Sequence, residues 1–257
     1  MGTIAEFSVR EPLSVDWSEQ LLCRHVARAA GLSMAVLRDG QGREVPFQAT
    51  PGETGRDGGA DIWFWCDLPR DSEARFRLVQ GANARSKGRN VVLGQARRAL
   101  ALTTGAMRVK LPGSKRFRKP VLADRLPGPI LGFSRVGQGW VGGSRIETRL
   151  LCKRLTTTVL ARGPLWTDVQ VRYLFENDST YAMTLRLYAG RDHVMVDERM
   201  AMRIESRVLL QLHDGLNPDR FYSHVTCPVV SQDGHCRIER IDYGSSHRLR
   251  EIQVPAI

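Results

Sequence analysis

Alternating apolar and polar residues between positions 163 and 210 constrain the fold of this chain more than any other feature. Val169, Val171 and Tyr173 occupy every second position, with polar residues between them. This two-residue period is typical of a β-strand with one buried face. The polar residues 177–180 predict a turn, after which the alternation resumes. The segment therefore predicts consecutive antiparallel strands of one large sheet.

The rest of the chain predicts shorter strands. Residues 7–79 contain six strand candidates separated by Gly-rich turn signals, and no helical period extends over twelve positions, although residues 17–30 are ambiguous. The small, polar residues 81–88 are typical of a linker. We therefore predict an all-β chain, with a small β-barrel-like domain at residues 1–84. An antiparallel β-sandwich is predicted at residues 90–257, and its abrupt, strand-like end is typical of a truncated domain.

Composition narrows the class of protein further. No apolar run approaches the roughly 20 residues that a membrane helix needs, so we predict no membrane partner. The first residues have neither the basic nor the apolar region of a leader peptide, which predicts a cytoplasmic protein as the sequence is written. A missing leader would instead place the protein in the periplasm or outside the cell. The odd number of scattered cysteines, five, argues against a disulfide framework.

The net charge of +11 is concentrated in one stretch, residues 85–120, which contains eleven basic residues and no Asp or Glu. A field of one sign attracts acidic partners such as polysaccharide, nucleic acid or a membrane surface. A merely solubilising surface is an equally good interpretation. The candidate substrate-binding residues within this stretch are Arg97, Arg98, Lys115, Arg116, Arg118 and Lys119.

Seven phrases of the sequence form two groups, residues 7–12, 37–48 and 63–75 and residues 104–109, 129–132, 163–173 and 210–219. The first group resembles the N-terminal β domain of exo-rhamnogalacturonan lyase-like proteins, and the second resembles the sandwich that follows it in that family. In that family, as the resemblance implies, these β domains precede an α/α-toroid that cleaves acidic plant polysaccharide. This sequence has no long helical region, so we expect the isolated chain to show no lyase turnover.

Elimination from a uronate requires a cation for the carboxylate, a base and an acid. Arg220, Tyr222 and His224 alternate along a predicted strand and would therefore share one face. They are the candidate catalytic residues. An ordinary exposed strand face is the more common meaning of such a pattern.

Three other patterns have weaker chemical interpretations. His224, Cys227, His235 and Cys236 are zinc-type ligands, but the last two are adjacent and would point to opposite faces of a strand. We predict no metal and no cofactor. The Trp63 and Trp65 pair could stack on sugar rings, although core packing suits so apolar a segment better.

The sequence thus predicts the β-rich portion of a protein that binds or processes acidic, uronate-containing polysaccharide. The main alternative is a basic β module that binds nucleic acid. Residues 85–119 contain only one aromatic residue, Phe117, whereas single-strand binding usually uses several. A structural subunit without a ligand is the third possibility.

Overall fold

The computed structural model describes residues 2–27, 31–52, 59–81, 90–96, 98–202, 206–211, 221–226, 238–243 and 251–255. Within these ranges the chain forms strands β1 to β21 and two 3-10 turns, with no α-helix. The sheets are antiparallel throughout the paired strands described. This architecture confirms the predicted all-β fold class.

The N-terminal part consists of two antiparallel sheets. Their strands, in chain order, are β1 (Thr3–Arg10), β2 (Trp17–Val26), β3 (Ala35–Asp39), β4 (Glu44–Val45), β5 (Phe47–Pro51), β6 (Ala60–Leu68) and β7 (Glu73–Gln80). One sheet has the order β1-β7-β3-β4 and the other β2-β6-β5. Between the described strands these two sheets do not close into a barrel.

One apolar core joins the two N-terminal sheets. Ile62 and Phe64 of β6 pack with Leu37 of β3 and with Phe76 and Leu78 of β7, and all five are nearly inaccessible to solvent. The alternation of buried and exposed residues along β6 places every second side chain in this core. Residues 17–26, for which the sequence was ambiguous, form a strand that pairs with β6.

The second part begins after residue 89 and contains the remaining fourteen strands. They are β8 (Val92–Ala96), β9 (Ala99–Thr103), β10 (Met107–Pro112), β11 (Lys115–Leu122), β12 (Gly132–Arg135), β13 (Gly143–Glu147), β14 (Leu151–Arg162), β15 (Trp166–Phe175), β16 (Thr180–Tyr188), β17 (Val194–Ala201), β18 (Arg207–Gln211), β19 (Phe221–Thr226), β20 (Ile238–Tyr243) and β21 (Glu251–Pro255). Four sheets result, with the orders β12-β10-β9-β8, β11-β14-β15-β16-β17, β13-β18-β21 and β19-β20. The predicted meander is confirmed for β15 to β17, which pair in succession in the five-stranded sheet. It ends there, because β18 pairs with β13 and β21 in a separate sheet.

A second apolar core lies between the sheet of β8 to β10 and β12 and the five-stranded sheet. Leu102 and Val109 contribute from the first sheet, and Val171, Tyr173 and Leu185 contribute from the second. All five side chains are fully buried. Because their inward faces share this core, the outward faces of the two sheets point away from each other.

The two parts meet at an aromatic joint. Trp63 packs edge-on against Trp166, with 5.7 Å between ring centroids, and Trp65 packs similarly against Tyr188 at 5.6 Å. The buried Gln48 side chain accepts hydrogen bonds from the backbone amides of Leu165 and Trp166. The expectation that Trp63 and Trp65 pack in a core is therefore confirmed.

Candidate functional site

One face of the five-stranded sheet is buried in the core. The opposite, outer face is covered by the N-terminal part at Trp166 and Tyr188 and carries the charged residues over the rest of its area. Leu155 of β14 is paired with Tyr173 of β15, and both side chains are buried in the core. Their neighbours Arg154 and Arg172 therefore project from the opposite face, where both are exposed. The same alternation that builds the core thus produces a polar outer surface.

Three arginines lie close together on this outer surface. Arg116 of β11 is the register partner of Arg154, which places their Cβ atoms about 5 Å apart. Arg172 is the register partner of Thr156, two residues along β14 from Arg154, so it lies diagonally at about 7 Å. We call Arg116, Arg154 and Arg172 the arginine band. Among the residues that the structure describes, none of the three forms an ion pair.

The acidic groups on the same face are neutralised elsewhere. Asp168 receives two hydrogen bonds of 2.8 Å from Arg186, whose guanidinium also lies 4.5 Å from the centre of the Trp166 ring. Hydrogen bonding to Asp168 raises the pKa of Arg186 above its ordinary value. Asp197 lies 3.7 Å from Arg199 in an exposed pair. The positive field of the arginine band is therefore not cancelled by these carboxylates.

Neutral hydrogen-bonding groups occupy the row beside the band. Thr158, Gln170 and Thr184 are aligned across β14, β15 and β16 by their register. The Gln170 side-chain amide donates to the Thr184 hydroxyl at 3.3 Å. A surface of this kind offers cations for carboxylates together with amides and hydroxyls for sugar hydroxyls.

The structure separates the predicted basic residues into two groups that adjoin each other. Lys115, Arg116, Arg118 and Lys119 lie on β11, at the edge of the five-stranded sheet, and all four are exposed. Arg98 lies in the turn between β8 and β9, where its carbonyl accepts a 2.8 Å hydrogen bond from the Gly113 amide. Gly113 is two residues before Lys115, so Arg98 lies near the start of β11.

The other predicted site residues lie partly or wholly outside the described residues. Arg97 and Arg220 are outside them. Tyr222 and His224 lie on β19, with Asp242 and Arg240 of β20 as their register partners. The catalytic role of this trio therefore stays a prediction. Cys227, His235 and Cys236 are also outside the described residues.

Two residues of the band were not predicted from the sequence. Arg154 and Arg172 lie 34 and 52 residues beyond the end of the basic stretch at residue 120 and were not grouped with it. The alternation of buried and exposed residues along β14 and β15 could have identified them. Each arginine is next to a buried residue in the strand and therefore projects from the opposite, outer face. Only the pairing of β11 with β14 brings Arg116 to them.

The described part of the chain offers no competing site in the form of a reactive thiol, a metal site or a membrane-spanning helix. Burial raises the pKa of the Cys66 and Cys152 thiols, which makes them poor nucleophiles. No group of three metal-ligating side chains occurs among the described residues. No helix in the described ranges has the length and apolar character needed to cross a bilayer.

A cleft of about 980 Å³ opens between the N-terminal part and the turn before β15. Its lining is mainly apolar, with Leu32, Val36, Val45 and Phe47 among its residues. Arg162 is its only cation among the described residues. The lining of the cleft is therefore poorly suited to an acidic polymer, and the arginine band suits such a polymer better.

Comparison with known proteins adds no family. No model of a known protein family matches this chain, and a search of curated proteins also found no match.

Proposed function

We propose that the exposed face of the five-stranded sheet binds acidic, uronate-containing polysaccharide. The observation that supports this proposal is the arginine band: three exposed cations on adjacent strands that have no acidic partner among the described residues. Like charges placed opposite each other weaken a sheet, so their presence suits a ligand that supplies the opposite charge. The resemblance to exo-rhamnogalacturonan lyase-like proteins favours the same ligand class.

The ligand class follows from the residue types on this face. A uronate polymer carries one carboxylate and several hydroxyls on each sugar unit. Arginine binds carboxylate through two parallel hydrogen bonds, and the row of Thr158, Gln170 and Thr184 matches the hydroxyls. A neutral polysaccharide would leave the arginine band unpaired, so we expect discrimination against it.

Nucleic acid is the second candidate, because a polyphosphate would also attract the band. Single-stranded nucleic acid is usually held by aromatic side chains on which bases stack. The outward residues next to the band, Thr156 and Thr158 of β14 and Gln170 of β15, include no aromatic side chain. The residue types of this face therefore favour polysaccharide.

We also propose that the chain has the two-part organisation that the resemblance implies. A barrel-like domain would comprise residues 1–84 and a β-sandwich residues 90–257. The separate N-terminal and C-terminal cores support this division. The sandwich would present the arginine band on one outer face and would act as a binding portion of a larger catalytic assembly.

The experiment that tests the function is affinity electrophoresis through gels that contain polygalacturonate, neutral galactan or no polymer. We expect retardation by polygalacturonate alone. A parallel titration with single-stranded and duplex DNA distinguishes the second candidate. Binding to DNA without binding to polygalacturonate would replace our proposal with the nucleic-acid function, and equal retardation by both polysaccharides would contradict it.

A further inference from the structure

An exposed tryptophan lies on the sheet whose outward face points away from the arginine band. Trp140 follows β12 and keeps 40% of its surface accessible. Its ring edge is 3.6 Å from the position that a Cβ atom on Gly132 would occupy, so the glycine lets the indole lie close to the sheet. An indole held in this way offers a flat apolar surface to a ligand while its other side packs on the protein.

Two cations lie beneath the Trp140 ring. The Arg108 guanidinium is 5.0 Å from its centroid, and the Lys110 ammonium is 5.8 Å from it. Arg108 and Lys110 are two residues apart on β10, and Gly132 is the register partner of Lys110. The side chains of Arg108 and Lys110 therefore project from the outward face of the sheet and approach the indole from that side. The exposed surface of the ring is turned to solvent.

Arg108 holds the loop that carries Trp140. Its guanidinium donates to the Ser134 hydroxyl at 2.7 Å and to the Gln138 carbonyl. Ser134 Oγ lies 2.8 Å from the carbonyl oxygens of Arg135 and of Gln138, so its single proton is donated to one of these two acceptors. This network fixes both ends of the turn before Trp140, so the ring is positioned before any ligand arrives.

Small residues leave a shallow trough beside the ring. The register across β8, β9, β10 and β12 aligns Gly94, Ala101, Lys110 and Gly132 in one row. Lys110 is the single long side chain in that row. Its ammonium makes no ion pair among the described residues, and it borders both the trough and the tryptophan.

We propose that Trp140 and Lys110 form a separate subsite for two adjacent pyranose units, one of which carries a carboxylate. One unit stacks on the exposed indole face, and the neighbouring unit lies in the trough, where its carboxylate binds the Lys110 ammonium that borders the trough. Stacking requires the flat, accessible ring that the loop presents. This subsite shares a ligand class with the proposed function but lies on a different surface.

The residue types around Trp140 favour a sugar over a nucleotide base. Proteins that bind single-stranded nucleic acid usually place several aromatic rings along one groove. On this face the neighbours of Trp140 are glycine, alanine and two cations, so the described residues offer a single stacking position. One aromatic ring and one ammonium at the border of the trough match one stacked sugar unit and one neighbouring uronate unit.

The test is isothermal titration of the whole chain with trigalacturonate and with its methyl ester. We expect Trp140→Ala to weaken binding of both oligosaccharides about tenfold. Lys110→Gln should weaken trigalacturonate about fivefold and leave the ester unchanged. Arg70→Gln, which removes a charge from an exposed position of the N-terminal part, is the matched control and should change neither.

The outcomes separate this subsite from the arginine band. Loss of trigalacturonate binding in Trp140→Ala, with binding kept in Arg154→Gln, supports the subsite. This outcome does not depend on whether the arginine band binds polysaccharide. Unchanged affinity in Trp140→Ala and Lys110→Gln overturns it, as does wild-type protein that binds no oligosaccharide. Binding of oligothymidylate that depends on Trp140, without binding of trigalacturonate, overturns it in favour of a base-stacking site. Tryptophan fluorescence and circular dichroism of each variant verify that it is folded.

Discussion

Arg116 lies directly opposite Arg154 in the ladder between β11 and β14. Two like charges at directly opposed positions repel each other, and such pairs destabilise antiparallel sheets. Arg172 adds a third cation across the next ladder. A sheet selected for stability alone gains nothing from this arrangement, so it is best explained by a function that uses the charge.

Our first prediction concerns the stability cost of this arrangement. Replacing Arg116 with threonine removes the opposed charge and supplies a residue that favours strands. We expect the free energy of unfolding to rise by about 0.5 kcal/mol. Urea denaturation at low ionic strength measures it.

The control for this prediction is Arg118→Thr on the same strand, which has the same change of side chain. A rise in both variants would attribute the gain to strand propensity alone. No rise in Arg116→Thr would contradict the repulsion. Added salt should reduce the difference between the two variants, because it screens exposed charges.

A second prediction concerns a close approach between the loop before β12 and strand β13. A Cβ atom on Gly128 would lie only 1.9 Å from the Ser144 carbonyl oxygen, which belongs to the backbone and cannot rotate away. We expect Gly128→Ala to lower the free energy of unfolding by about 2–3 kcal/mol. Gly139→Ala, at a position with nothing within 4 Å, is the matched control and should be nearly neutral. Equal stability of both variants would contradict the observed packing.

The third prediction concerns the joint between the two parts of the chain. Gln48 Oε1 accepts hydrogen bonds from the Leu165 and Trp166 amides at 3.2 and 3.1 Å. Gln48→Leu keeps the volume but leaves both buried amides without an acceptor. We expect a loss of about 2–4 kcal/mol in urea denaturation, since an unsatisfied buried amide costs about 1–3 kcal/mol.

Gln95→Leu, at an exposed position of β8, makes the same change where no buried amide depends on it. It should alter stability little. If Gln48→Leu were as stable as this control, the hydrogen bonds would contribute nothing to the joint.

A fourth prediction concerns acid stability. Glu11 is 3% exposed, and this burial acts to raise its pKa. The hydrogen bonds that it accepts from Trp17 Nε1 and from the Leu13 and Asp71 amides outweigh burial and lower the pKa from 4.5 to about 2. A lowered pKa in the folded protein means that the carboxylate stabilises the fold above pH 4.5. This contribution is lost as the pH falls from 4.5 to 2.

Thermal unfolding of Glu11→Gln should therefore show a smaller decrease in Tm between pH 5 and about pH 2 than the wild type. It should also show a lower Tm at neutral pH, because the amide presents a single acceptor oxygen. Glu176→Gln, at an exposed position, should follow the wild-type profile. Parallel profiles for Glu11→Gln and the wild type would show that Glu11 is not responsible for the acid sensitivity.

Much of the fold was predictable because one physical signal determines it. Alternation along residues 163–187 specifies which side chains enter the core, and the structure confirms β15 and β16 there. The strand order of the N-terminal sheets was less predictable, since it depends on pairings between strands distant in sequence, such as β1 with β7.

The candidate site was only partly predictable. The basic stretch identified Arg116, but Arg154 and Arg172 join it through the β11–β14 and β14–β15 ladders, which local sequence does not specify. No pattern in the sequence singled out Trp140. The proximity of Trp140 to Lys110 depends on the β10–β12 register and on the absence of a side chain at Gly132.

The most direct test of the central claim is the dissociation constant for polygalacturonate of Arg154→Gln/Arg172→Gln, measured against the wild type by biolayer interferometry. We compare it with Arg70→Gln/Arg75→Gln, which loses the same two charges from the N-terminal part. We expect the band variant to lose affinity about tenfold or more at low salt, and the control to change little. The loss should shrink as added salt screens the interaction of the wild type. Equal affinity of the two double variants would contradict the claim that the arginine band is the binding surface.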